Sequence, residues 1–114
     1  MKLQGRQKIV RIYVDEHDTW KGQPLFEALV DRAWKLGMAG ATAFKGAVGF
    51  GCKSHVLAAE AGGPVSHVPV CVEIVDTPEK VAKLRPALEE MITEGLVTIE
   101  DVEVVLYRTE GSKV

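Results

Sequence analysis

The run KIVRIYV, Lys8 to Val14, decides the fold. It is rich in β-branched and aromatic residues, and both alternate sets are apolar: Val10, Ile12 and Val14 on one side, Ile9 and Tyr13 on the other. A strand apolar on both faces belongs in the middle of a sheet. Downstream, Asp15 to Gln23 reads as a polar connection whose Asp15, Glu16 and Asp18 are solvated carboxylates rather than an acid/base pair. Pro24 suits a first helical position, where its missing N–H would be unpaired anyway. Leu25, Phe26, Leu29, Val30, Ala33 and Leu36 then recur at helical spacing, and Gly37 supplies a left-handed stop.

The rest of the chain repeats this alternation. A second strand, Ala41 to Lys45, enters a glycine-rich stretch, and Val68 to Val75 (VPVCVEIV) reads as a third strand after a loop of roughly twenty residues. Thr77 and Pro78 make a cap and first turn, and Val81, Leu84, Leu88, Met91 and Ile92 mark the apolar face of a second helix. Pro86 is expected to kink that helix. Leu96 to Arg108 supplies a last strand, with an interruption expected near Glu100 and Asp101.

The order βαββαβ predicts a ferredoxin-like α+β domain over residues 1–114: a four-stranded antiparallel sheet with two helices on one face. Its other face is left bare. Ile9, Tyr13, Cys71, Val75, Val105 and Tyr107 are expected there as an apolar patch, and such patches mark partner surfaces, which predicts a homo-oligomer.

Composition narrows the function. A chain of 114 residues, 46% hydrophobic, supports one core, and its net charge of −2 with a pI near 5.9 argues against nucleic acid or anionic lipid as a partner. The polar start MKLQGRQK leads directly into the first strand, which predicts a cytoplasmic protein. Cys52 and Cys71 read as reduced thiols.

The stretch KGAVGFGCKSH, Lys45 to His55, invites comparison with a phosphate-binding loop. In a P-loop a lysine directly follows the last glycine, whereas here Cys52 separates Gly51 from Lys53. Gly62-Gly63-Pro64 also leaves no room for the long helix such a loop opens. The simplest account of these glycines is positive φ where a strand leaves the sheet. Backbone N–H groups at glycines between Lys45 and Lys53 equally suit an anion.

The run Ala28 to Lys53, with Leu36-Gly37-Met38-x-Gly40 and then Lys45-Gly46 and Gly49-Phe50-Gly51, resembles the PII signal-transduction proteins at the base of their T-loop. The chain is more similar still to the PII-like family of unknown function DUF190. That likeness rests on Arg11-Ile12-Tyr13-Val14, Gly22-x-Pro24-Leu25-x-Glu27, Gly37-Met38-x-Gly40-Ala41-Thr42, Val72-Glu73-Ile74-Val75-Asp76 and Glu94-Gly95-Leu96-Val97-Thr98. The resemblance implies a regulatory homotrimer, not an enzyme, with a T-loop-like segment at about 49–67 and small-molecule clefts between subunits. The effector it implies is an adenine nucleotide. Carried over residue by residue, Lys45, Gly49, Phe50, Gly51 and Lys53 form the loop side of the site, Glu73 lies near the ligand, and Arg108 reaches a phosphate from a neighbouring subunit. The partner it implies is a membrane transporter, such as the fluoride exporters beside which some members are encoded.

The chain departs from the PII pattern in two places. Thr93-Glu94-Gly95 replaces a lysine-bearing loop, and no tyrosine lies between Cys52 and Val68 to accept uridylylation. The alternative reading is a CutA-like metal-binding trimer built on His17, His55, His67 and Cys52, none of which has the spacing of a metal motif. No nucleophile–base pair is visible, which argues against catalysis.

Overall fold

A computed structural model describes residues 3–50 and 68–110. Its elements are β1 Gly5–Asp15, β2 Thr19–Trp20, β3 Gln23–Pro24, α1 Leu25–Lys35, β4 Ala41–Lys45, β5 Pro69–Asp76, α2 Pro78–Met91 and β6 Leu96–Val104. β1 is central as its sequence predicts: the sheet order is β4-β5-β1-β6, with every neighbouring pair antiparallel. This is the ferredoxin-like arrangement. α1 lies over β4 and β5 and α2 over β1, all on one face. Val10 and Ile12 are fully buried beneath them with Val70, Val72 and Ile74 of β5, and Leu29 and Leu84 come down from the helices.

Three local expectations are corrected. The connection after β1 contains the ribbon β2–β3, in which Thr19 pairs with Pro24 and Trp20 with Gln23. Lys21 (φ 47°) and Gly22 (φ 83°) both take positive φ, as a two-residue type I′ hairpin turn requires. Pro24 therefore serves as the cap of α1 and not its first residue. β6 runs unbroken through Glu100 and Asp101, because Asp101 meets Lys8 across the strands and Glu100 meets Arg11. It ends at Val104, so Val105, Tyr107 and Arg108 lie beyond the sheet.

The bare face also differs from a purely apolar patch. Tyr13 and Cys71 pair there and Ile9 pairs with Val75, but Ile9 is already buried at 8% exposure within the single chain, and the rung between the two pairs is Arg11–Glu73. Arg11 Nε donates to Glu73 Oε2 at 3.1 Å and Nη1 to Glu100 Oε1 at 2.9 Å. Both carboxylates hold the guanidinium above its ordinary pKa. A charged triad thus sits inside an apolar frame.

The helices stop and start by hydrogen bonding. At the end of α1, Gly37 N donates to Trp34 O and Met38 N to Ala33 O, both at 3.0 Å, the two bonds of a Schellman motif. Lys80 Nζ, from the first turn of α2, reaches Leu36 O at 3.3 Å and Gly37 O at 2.9 Å, placing a cation on the negative end of α1. Thr77 caps α2 through Lys80 N, and the helix continues past Pro86 to Met91. Asp76, 2% exposed, joins these ends: its Oδ2 accepts from Ala39 N at 2.8 Å and its Oδ1 from Thr77 N at 2.7 Å.

Replacing Asp76 by Ala leaves two backbone donors unpaired at that junction. We expect a loss of about 2–4 kcal/mol in urea unfolding, with Asp76→Asn intermediate because an amide keeps one acceptor oxygen.

Candidate functional site

The end of β1, the end of β4 and the starts of β5 and β6 meet at one end of the sheet, and the glycine-rich stretch leaves from there. The turn after β1 is held by its own hydrogen bonds: Asp18 N donates to Asp15 O at 3.0 Å and His17 N to Asp15 Oδ1 at 2.8 Å. Glu16 N donates to Val68 O at 3.0 Å, fastening this turn to the approach to β5. Glu16 Oε2 in turn lies 3.3 Å from Lys45 Nζ, and the same ammonium lies 5.9 Å from the centroid of the Phe26 ring. Beside this turn, His17, Asp18, Thr19, Leu25, Thr93 and Glu94 line a cleft of about 250 Å³.

Pro69 explains the first two glycines better than turn geometry does. Among the described residues only Gly5, Gly22 and Gly37 are glycines with positive φ, so Gly46 and Gly49 are not there for left-handed backbone. Gly46 N donates to Pro69 O at 2.7 Å, and a Cβ at Gly46 would stand 2.9 Å from Pro69 Cγ. A Cβ at Gly49 would stand 3.0 Å from the same atom. The chain leaving β4 is laid against the proline ring, and side chains there would push it away. Val48 and Phe50 beside them are 80% and 79% exposed.

The residues expected at the site are therefore only partly assembled within one chain. Lys45, Gly49 and Phe50 share this end of the sheet, while Gly51 and Lys53, with Cys52, His55 and His67, lie outside the described residues. Glu73 is four residues along β5 from Pro69, about 13 Å at strand rise, and is held by Arg11 on the bare face. Arg108 follows Tyr107, whose hydroxyl donates to Ala39 O at 3.1 Å, at the opposite end of β4 from Lys45. It is exposed and not on the last strand. Glu16, Phe26 and Pro69 are the neighbours that sequence reasoning missed. Glu16 was hidden in an acidic connection that read as solvated, because pairing with Lys45 depends on two strand ends meeting.

Cys71, on the bare face, has its thiol pushed above the ordinary cysteine range, chiefly by burial. The Tyr13 phenol beside it is raised as well, chiefly by the charge Cys71 would carry and then by burial. Neither is poised as a nucleophile at neutral pH. Among the described residues, no three His, Cys, Asp or Glu side chains come together as a metal site. No described helix is long and apolar enough to cross a membrane.

Comparison with known proteins gives a consistent picture. The model of the DUF190 family, described as uncharacterized ACR, matches residues 7–104. A UPF0166 protein of Aquifex aeolicus is 35% identical over 102 residues, spanning 88% of this chain and 94% of the relative. Another, from Methanocaldococcus jannaschii, is 31% identical over 100 residues, spanning 87% and 92%. Among solved structures, CPII from Thiomonas intermedia, bound to ADP, AMP and acetate, superposes with a TM-score of 0.62 at 18% identity, covering 91% of this chain and 92% of that one. A PII-like signaling protein from Thermus thermophilus superposes at 0.61, also at 18% identity, covering 91% and 94%. At that identity the likeness shows a shared PII-like fold.

The contact with Pro69 predicts that Gly46→Ala costs about 1–3 kcal/mol in urea unfolding, as overpacking does. The cost should shrink in a Pro69→Ala background, where the ring that a new Cβ meets first is gone.

Proposed function

The chain belongs to the DUF190 family, and from that premise we propose that it is a non-enzymatic, PII-like regulatory protein of the cytoplasm. In this reading it is a homotrimer that binds an adenine nucleotide in clefts between subunits. The occupied site acts on a partner through the segment at about 49–67, and a membrane transporter is the class of partner that the family resemblance implies. Lys45, Gly49, Phe50, Gly51 and Lys53 form the loop side of the cleft, and Glu73 and Arg108 contribute from the face and tail that meet the neighbouring subunit.

The observation that carries the reading is the pairing of a PII-like fold with a glycine base packed on Pro69 beside Lys45. An adenine nucleotide is the favoured effector because a protein of the same fold was solved with ADP and AMP. Self-association is supported by the apolar residues Tyr13, Cys71 and Val75 on the bare face, where Tyr13 remains 39% exposed in the single chain, and the resemblance makes the assembly a trimer.

Calorimetry with AMP, ADP, ATP and cyclic nucleotides tests the effector, and light scattering on the same samples tests the assembly. We expect one site per subunit of a trimer. Tyr13→Asp, which places a carboxylate on the bare face, should give monomers and abolish binding together. The absence of heat across that panel would sink the nucleotide reading, and binding that survives in a monomeric Tyr13→Asp protein would sink the intersubunit site.

A further inference from the structure

Lys45 is the described cation of the proposed loop side, and it is already engaged. Its ammonium lies 3.3 Å from Glu16 Oε2, and the two partners are unequally held. The Glu16 side chain is 19% exposed and is presented by a turn whose backbone bonds to Val68 O, whereas the Lys45 side chain is 61% exposed. The carboxylate is the fixed member and the lysine the movable arm. The cleft beside this turn is lined by Asp18 and Glu94, which add further acidic groups.

An anion arriving at Lys45 must therefore do two things. It must replace Glu16 as the counter-charge of the ammonium, and it must tolerate the displaced carboxylate nearby. From this we infer that Glu16 is a built-in competitor for the anionic ligand: it occupies Lys45 in the empty protein and sets how much negative charge the site accepts. The inference rests on the nucleotide reading above, and it adds a specificity-determining residue to that site. A carboxylate beside Lys45 penalises a ligand more as the ligand's charge rises, because its repulsion of the ligand grows with each added charge.

Glu16→Gln keeps the shape of the side chain and removes its charge. In magnesium-free titrations of AMP and ATP, Glu16→Gln should bind ATP about fivefold more tightly than the wild type does, the upper end of what an exposed ion pair contributes. The gain for AMP should be smaller. Both gains should shrink several-fold in a Lys45→Gln background, to what direct repulsion between Glu16 and the ligand leaves, since competition needs the group competed for. Wild-type binding with an unchanged or weaker affinity in Glu16→Gln overturns the inference and leaves the nucleotide reading standing. A gain that is undiminished without Lys45 overturns it equally, by showing a field effect with no competition in it. Failure of both wild type and Glu16→Gln to bind either nucleotide overturns the nucleotide reading itself, and the competitor role with it.

Discussion

The structure hangs on a buried carboxylate. Asp76 stands where β5 hands over to α2, and its two oxygens take the backbone N–H of Ala39 and of Thr77. Those donors belong to two connections far apart in sequence, the turn between α1 and β4 and the entry to α2. Lys80, in the first turn of α2, then reaches back to the carbonyls of Leu36 and Gly37, just past the end of α1. Each helix is therefore positioned by the other's terminus. A charged group can be this deeply buried because backbone donors satisfy both of its oxygens, a requirement that grows with burial. Without that clamp, the apolar stripes of α1 and α2 would still favour the sheet, but little would fix their order and tilt over it.

Where a residue's role depends on near neighbours, the sequence carried it plainly. The two apolar faces of Lys8 to Val14 placed β1 in the centre, Gly37 marked the end of α1, and Thr77-Pro78 marked the start of α2. What escaped was decided by distant partners. The acids of β6 looked like a break because the cations that answer them, Lys8 and Arg11, sit on another strand about ninety residues away. The glycines leaving β4 looked like turn residues because the ring they lie against, Pro69, follows a long intervening segment. The ribbon β2–β3 was missed for a different reason: Lys21-Gly22 is a weak hairpin signal, lacking the asparagine or aspartate usual before the glycine. At the candidate site, the likeness to PII loops pointed to Lys45 and Gly49, but periodicity and spacing gave no sign of Glu16 as a neighbour of Lys45.

The bare sheet face sets apolar burial against charge. Tyr13, Cys71 and Val75 favour covering the face, whereas the Glu73–Arg11–Glu100 triad makes covering it costly unless every polar atom keeps a partner. The triad is half-solved within one chain, since Arg11 already donates to both carboxylates. Such an arrangement constrains how a second surface can dock, because a shifted copy would strand one of the acids. Charge of this kind contributes less to affinity than to the choice among alignments.

The glycine end of the sheet is fastened by backbone hydrogen bonds on both sides of the segment 51–67. Gly46 N bonds to Pro69 O on the way into the segment 51–67, and Glu16 N bonds to Val68 O on the way out. Both arms of that segment therefore start from anchored backbone. Lys45 lies one residue before the first anchor, and its ion-pair partner Glu16 carries the second. On the proposed reading, an anion that takes Lys45 from Glu16 changes the charge balance between these two anchors. An ion pair whose lysine is 61% exposed and whose carboxylate is 19% exposed is the kind of contact that a competing anion can exchange at low cost.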